Sequence, residues 1–192
     1  MRRKSGRGFL PFKDGIIAAL ILVLGTLIAA KLDGLGQERL SGRFNAVDGD
    51  TVTHRGERFR LVGIDAPELK QTCMRAQQDW PCGAEAKAYL STLLKSDIVD
   101  CAGNKRDKYQ RLLVRCSVGG RDVAAQLVAA GLAVTTEYFL FSREQAMAQS
   151  EKAGIWSGTF TQPGDWRREH KAAEMDAPFG GILALVRHVL GW

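Results

Sequence analysis

The sequence is poor in histidine. Three residues, His54, His170 and His188, are scattered over 192 positions, which argues against a His-ligated zinc enzyme or a His-metal nuclease. None of its four cysteines (Cys73, Cys82, Cys101, Cys116) stands at CxxC spacing, which weakens the case for a zinc site made of thiolates. With 21 Gly and 5 Pro there is no collagen-like or disordered composition. Excess charge is also missing from most of the chain. Residues 1–31 hold six basic residues (Arg2, Arg3, Lys4, Arg7, Lys13, Lys31) and one acid, Asp14. The other 161 hold 21 basic and 20 acidic residues, so the net +6 is mostly N-terminal. A broad electrostatic footprint for nucleic acid is therefore absent from the body, and any anion site must be local. The length suits one domain of roughly 100–150 residues with appendages.

One long apolar run is present. Four basic residues within the first seven precede Gly15–Ala30, sixteen residues without a charge. That order is the order of a bacterial-type signal sequence or signal anchor. As a helix the run spans about 24 Å, slightly less than the roughly 30 Å hydrocarbon core, and Lys13 and Lys31 can snorkel to extend it. No small-x-small cleavage site stands at its end, which favours an uncleaved anchor over a cleaved peptide. The segment 1–36 is thus expected to attach the chain to a membrane. The basic flank leaves the N-terminus in the cytoplasm and the body outside, anchored, or secreted if the segment is cleaved.

The cysteines agree with an oxidising compartment. Cys73 and Cys82 bracket a polar stretch, and Cys101 and Cys116 flank a turn-rich segment between two strand-like runs. Three pairings are possible; Cys73–Cys82 with Cys101–Cys116 is favoured because each closes a local loop.

Strand signals dominate Arg43–Val47, Thr51–His54 and Glu57–Asp65, with turns at Asp48-Gly49-Asp50 and Arg55-Gly56. Ala66-Pro67 stops the third strand. A helix is expected over Ala84–Lys95, with Ala86, Leu90, Leu93 and Leu94 on one face. Strands follow at Asp97–Cys101 and Arg111–Val118, joined by the polar loop GNKRDKYQ. Asp122 reads as the N-cap of Val123–Ala130, and Ser142 with Gln145 as a capping box opening a helix to about Ala153. Five short strands and about three helices give an α+β fold, a five-stranded OB-type β-barrel preceded by an N-terminal hydrophobic helix. The barrel domain is expected over 37–160, followed by a polar linker and an apolar C-terminal helix, Pro178–Trp192, within 161–192.

The residues that carry chemistry are oxygen donors and arginines. Asp48 and Asp50 share one turn, Asp65 and Glu68 stand at a strand end, and Arg60 precedes Asp65 by five residues. Lys108, Tyr109 and Arg111 lie in a loop leading into a strand. Carboxylates without His or Cys suit a hard cation, Ca²⁺ or Mg²⁺, and two arginines suit bidentate capture of a phosphate. A spare carboxylate can act as general base on water. Metal, cationic clamp and base together amount to phosphodiester hydrolysis. Strict alternation sets Arg60 and Asp65 on opposite faces of one strand, so a shared site requires a bend or bulge, for which Gly63 is the natural place, or a turn at Asp65-Ala66-Pro67.

VDGDT (47–51), FRLVGIDAPE (59–68) and DKYQR (107–111) resemble the motifs of the thermonuclease family, whose type member is staphylococcal nuclease. GLA (131–133) and Ile155-Trp156 fall where that family has similar residues, and the likeness covers roughly Gly42 to Ser157, about 60% of the chain. The resemblance implies that Asp50, Asp65 and the Ala66 carbonyl bind Ca²⁺, that Glu68 is the general base or at least orients the attacking water, and that Arg60 and Arg111 contact the scissile phosphate. It implies cleavage of DNA and RNA by water, leaving 3′-phosphate ends, with Lys108, Tyr109 and Tyr138 binding substrate. Ala66 replaces a Thr of the type member. Gln110 replaces a Gly, so the backbone at 110 is expected not to require glycine. The Cys73–Cys82 insertion has no counterpart there and is expected to rigidify the rim near Glu68. No obligate protein partner is evident. The alternative reading is a non-catalytic OB-type module that binds nucleic acid or a protein.

Overall fold

Hydrophobic residues repeat along the body with a period of two in some stretches and near four in others, and the elements follow those periods. The computed structural model describes residues 12–137 and 139–170, with side chains of the first helix described at 15–29 and 31. That helix, α1 (Phe12–Leu35), confirms the expected N-terminal hydrophobic helix, and its described side chains are all exposed. Among the described residues, however, no helix is long and apolar enough to cross a membrane. The expected membrane attachment is therefore not supported. The physical reason lies in the uncharged run of about 24 Å, bounded inside the same helix by Lys13, Asp14, Lys31 and Asp33. The expected apolar helix at 178–192 lies outside the described residues.

Residues from Arg39 onward form a unit of their own. Its strands are β1 (Glu38–Gly42), β2 (Asn45–Ala46), β3 (Thr51–His54), β4 (Glu57–Leu61), β5 (Ile64–Asp65), β6 (Cys73–Arg75) and β7 (Gln78–Trp80). After helix α2 (Cys82–Ser96) come β8 (Val99–Arg106), β9 (Leu112–Val118) and β10 (Arg121–Asp122), then α3 (Val123–Ala129), β11 (Val134–Thr135) and α4 (Ser142–Ser150). A 3₁₀ turn (Gly154–Ser157), β12 (Gly158–Thr159) and a helix over 163–170, α5, complete the described chain.

The main sheet runs β1-β8-β9-β4-β3-β2, with β10 on β9, and curls upon itself. β3 pairs antiparallel with β4 and β8 with β9, whereas β4 and β9 are parallel. This mixed, curled sheet with helices is the expected α+β, OB-like fold, though among the described residues the main sheet has seven strands rather than five and forms a half-barrel. β9 shows why it holds: Leu112, Val114, Cys116 and Val118 alternate inward and are buried. Against them α2 lays Ala86, Leu90 and Leu94, all buried, while Leu93 packs at the edge. Each fully buried Leu contributes about 1.5–3 kcal/mol.

Several local expectations need revision. β8 runs on to Arg106 through a bulge between Ala102 and Lys105, so the polar loop after it is shorter than expected. The capping box at Ser142 does not form: Phe141 takes the N-cap place, no side chain caps the helix, and Gln145 accepts the Thr135 N–H at 2.8 Å instead. A tertiary partner has outcompeted the local one. Asp122 does cap α3, accepting the Ala125 N–H at 3.0 Å. Both favoured disulfides are present, Cys73–Cys82 and Cys101–Cys116, the latter joining directly paired residues of β8 and β9.

Candidate active site

The turn between β2 and β3 is built by its first aspartate. Asp48 accepts the N–H groups of Asp50 (3.0 Å) and Thr51 (2.7 Å), an Asx-turn that uses up one of its oxygens on local backbone. Asp50 is thereby turned inward and buried. β3 and β4 pair so that Thr51 lies opposite Arg60. Arg60 reaches both aspartates: Nη2 stands 2.8 Å from Asp50 Oδ2 and 2.7 Å from Asp65 Oδ1, and Nη1 donates to Asp50 Oδ1 at 3.1 Å. The chain bends between Arg60 and Asp65 as required. β4 stops at Leu61, Gly63 takes φ +79°, a left-handed backbone that glycine enters without steric cost, and β5 resumes at Ile64. Burial pushes the Asp50 carboxyl well above the usual carboxylate range, the repulsion of Asp48 and Asp65 adds to it, and the Arg60 guanidinium opposes it.

Arg111, just before β9, enters the same place from the other side. Its Nε and Nη2 hold Asp107 Oδ2 at 2.8 and 2.7 Å, and Nη1 reaches Thr51 Oγ1 at 3.4 Å. Thr51 in turn donates to Asp50 Oδ1 at 3.0 Å, so a line of hydrogen bonds runs Arg60–Asp50–Thr51–Arg111. Asp107 organises its own loop by accepting the N–H groups of Tyr109 (2.8 Å) and Arg111 (3.0 Å). Burial pulls its carboxyl up, but the hydrogen bonds from Arg111 and Tyr109 outweigh this and hold it below the usual range. The expectation for position 110 is corrected here: Gln110 takes φ +64°, a left-handed conformation of the kind glycine favours. An L-residue enters that region at a cost of roughly 1–2 kcal/mol; the Gln110 N–H is held by the Asp107 carbonyl at 3.0 Å and its carbonyl by Arg106 Nη1, also at 3.0 Å.

A cleft of about 1020 Å³ gathers Asp50, Thr51, Arg60, Glu68, Lys108, Tyr109 and Arg111 on its walls, with Asp65 hydrogen-bonded behind Arg60. The Tyr109 ring lies within reach of the Lys108 ammonium (5.1 Å) and the Arg111 guanidinium (5.5 Å). Ala66 is buried beside Asp50, its N–H donating to Oδ2 at 3.3 Å. Tyr138 lies outside the described residues.

Sequence reasoning missed two residues. Gln71, fully buried, accepts the Glu68 N–H at 3.2 Å and donates to the Thr161 carbonyl at 2.7 Å, tying the Glu68 loop to the segment before α5. Arg167, from α5, forks onto Asp65 (Nη1 to Oδ1 3.0 Å, Nη2 to Oδ2 2.8 Å) and onto Glu68 Oε1 (2.8 Å). The stretch expected as a polar linker thus holds a helix that supplies a side chain to the site. Nothing local in TQPGDWRREH pointed there, because the partners lie 99 and 102 residues earlier. Gly83, next to Cys82 at the start of α2, fits against the Glu68 carbonyl, where a Cβ would come within 1.7 Å. The Cys73–Cys82 bridge thus lies next to the residue that packs on the Glu68 carbonyl.

The acidic residues suit a hard cation. Asp50 Oδ2 and Asp65 Oδ1 both bind Arg60 Nη2, at 2.8 and 2.7 Å, and carboxylate oxygens of this kind are the donors that Ca²⁺ takes. Among the described residues no group of three or more His, Cys, Asp or Glu forms a metal cluster. The residues that could hold such an ion are the two carboxylates, Asp50 and Asp65, with the main chain at Ala66 beside them.

The chain matches the family described as staphylococcal nuclease homologue over residues 58–158. It is 35% identical over 155 residues to the succinoglycan biosynthesis protein ExoI of Rhizobium meliloti (strain 1021), covering 76% of this chain and 81% of that protein. It is 36% identical over 127 residues to the SPbeta prophage-derived endonuclease YokF of Bacillus subtilis (strain 168), covering 58% of this chain and 42% of that protein. Endonuclease YncB of the same organism is 33% identical over 127 residues, covering 58% of this chain and 59% of that protein. The chain spans about half the length of these two endonucleases. The matched segment contains Arg60, Glu68 and Arg111, which line the cleft, and Asp65, which binds Arg60, and the chain belongs to the staphylococcal nuclease homologue family.

Proposed function

We propose that this nuclease-family hydrolase is a Ca²⁺-dependent endonuclease that cleaves DNA, RNA or both and leaves 3′-phosphate ends. The observation that carries the reading is the hydrogen-bonded line Arg60–Asp50–Thr51–Arg111, which aims two guanidinium groups into one cleft beside Glu68. Arg60 and Arg111 donate to the non-bridging oxygens of the scissile phosphate and stabilise the charge that grows on them. Glu68 has Oε1 engaged by Arg167, and its other oxygen accepts a proton from the attacking water. The water oxygen bonds to phosphorus, the bond to the 5′-oxygen breaks, and that oxygen takes a proton from solvent. Asp50, Asp65 and the Ala66 carbonyl would hold Ca²⁺, which would supply charge neutralisation at the phosphate when bound. Lys108 contacts a neighbouring phosphate, and Tyr109 and Tyr138 stack on bases.

The basic N-terminal flank and the two disulfides support export of the body to an oxidising compartment. The functional test is digestion of denatured DNA and of RNA by the full chain in Ca²⁺ and in chelator, with end-group analysis. Cleavage in Ca²⁺ alone, with 3′-phosphate products, is expected. Equal cleavage in chelator would remove the metal from the mechanism, and binding without cleavage would favour the non-catalytic module.

A further inference from the structure

Arg167 does not contact the phosphate in the chemistry proposed above, yet it is engaged with both carboxylates, Asp65 and Glu68, on which that chemistry depends. Asp65 Oδ2 receives Arg167 Nη2 at 2.8 Å, and Asp65 Oδ1 receives both Arg60 Nη2 at 2.7 Å and Arg167 Nη1 at 3.0 Å. Both oxygens of the aspartate therefore face guanidinium groups. We propose that Arg167 is a displaceable internal counter-cation: it occupies Asp65 and Glu68 where a divalent ion would otherwise bring charge, and its release from Asp65 sets how tightly that ion binds. The inference rests on Asp65 being a metal ligand.

Of the two arginines on Asp65, Arg167 is the one able to leave. Arg60 projects from a strand, is 20% exposed, and is also held by both oxygens of Asp50. Arg167 is 33% exposed and comes from a helix whose described residues are 163–170. The segment leading into that helix is fixed to the body by the buried Gln71 amide at Thr161, so the guanidinium can turn away without detaching the chain. The beginning of the helix stays close to the aspartate, since a Cβ at Gly164 would lie 3.8 Å from Asp65 Oδ2. A hard cation at Asp65 would meet the Arg167 charge at close range in a part-buried setting, where like charges repel more strongly than in water. Either the ion or Arg167 holds the carboxylate, and removing the competitor must tighten the ion's binding.

The test is direct titration of the full chain with Ca²⁺ by calorimetry at fixed ionic strength, for the natural protein, Arg167→Ala and Arg167→Lys. Arg167→Ala should bind Ca²⁺ at least about tenfold more tightly, with Arg167→Lys in between because an ammonium cannot fork onto two carboxylates. In the natural protein Ca²⁺ should speed amide exchange over 163–170. Equal or weaker Ca²⁺ binding by a folded Arg167→Ala or Arg167→Lys would overturn the competition while leaving the metal reading intact. Failure of all three proteins to bind Ca²⁺ would overturn both together. Thermal melts of each variant show which of them are folded and therefore decide the comparison.

Discussion

Arg111→Ala separates the folding role of the second arginine from its catalytic one. The side chain is 23% exposed and its contacts are to one Asp107 oxygen at 2.7–2.8 Å and to Thr51 at 3.4 Å. Removing it does not leave Asp107 unpaired, because the N–H groups of Tyr109 and residue 111 still donate to that carboxylate. The stability loss should then be about 1 kcal/mol, between an exposed ion pair and a buried charged hydrogen bond. Loss of a donor aimed at developing charge costs more, about 2.7–4 kcal/mol, or roughly 100- to 1000-fold in kcat. Initial rates on denatured DNA at saturating substrate, with urea midpoints measured alongside, give both quantities. Arg111→Lys should fall between the two, since it retains the charge and loses the fork. A kcat within threefold of the natural enzyme would refute the phosphate-clamp role, and a stability loss above 3 kcal/mol would show that Arg111 is mainly structural.

The Asp107 carboxyl is held below its ordinary range, so its ion pair stabilises the fold above about pH 4 and the benefit disappears as pH falls through the folded value. Urea unfolding of Asp107→Asn and the natural chain should differ at pH 7 and converge toward pH 2.5; parallel curves would contradict this. Gln71→Leu leaves the Glu68 N–H and the Thr161 carbonyl without their partner, at about 1–3 kcal/mol each, and should lower kcat as well as the urea midpoint. Tyr109→Ala should weaken binding of single-stranded oligonucleotides by about 1–3 kcal/mol while Tyr109→Phe does not, as measured by fluorescence anisotropy. Loss in both variants would point to the hydroxyl rather than the ring.

The parts of the site legible in the sequence are those encoded within a few residues of one another. The conflict between strand alternation and a shared Arg60–Asp65 site points in the sequence to a bend at Gly63 or a turn at Asp65-Ala66-Pro67, and the bend is at Gly63, because glycine is the residue that turns there without cost. Asp122 as a cap and the pairing of Cys101 with Cys116 were equally local. Ser142 with Gln145 had a convincing local pattern and failed, since the Thr135 N–H, ten residues earlier, needed the Gln145 oxygen. Thr51 was visible only as part of a motif, and its role in joining Asp50 to Arg111 required the strand pairing. Arg167 was hidden altogether: a basic residue in a polar tail reads as solvated until tertiary structure sets it against Asp65.

Charge in the cleft links metal and substrate. Its walls carry Arg58, Arg60, Lys108, Arg111, Arg167 and Arg168 against Asp48, Asp50, Glu68 and Asp107, and Asp65 behind them nearly balances the excess. Most of these cations are already committed: Arg60 to Asp50 and Asp65, Arg111 to Asp107, Arg167 to Asp65 and Glu68, Arg168 to Asp165. A polyanion therefore meets little free positive charge, and a divalent ion bound at Asp65 would add two units and loosen the hold of the acids on Arg167. Each ligand should then tighten the other by the same factor, as linkage requires. With a non-cleavable single-stranded oligonucleotide, Ca²⁺ should raise oligonucleotide affinity about 5- to 150-fold, the usual range of such coupling, and the oligonucleotide should raise Ca²⁺ affinity equally. Independent binding of the two would mean that the acidic cluster and the phosphate clamp act separately, and that the arginines are attracted to nucleic acid without first being released from their carboxylates.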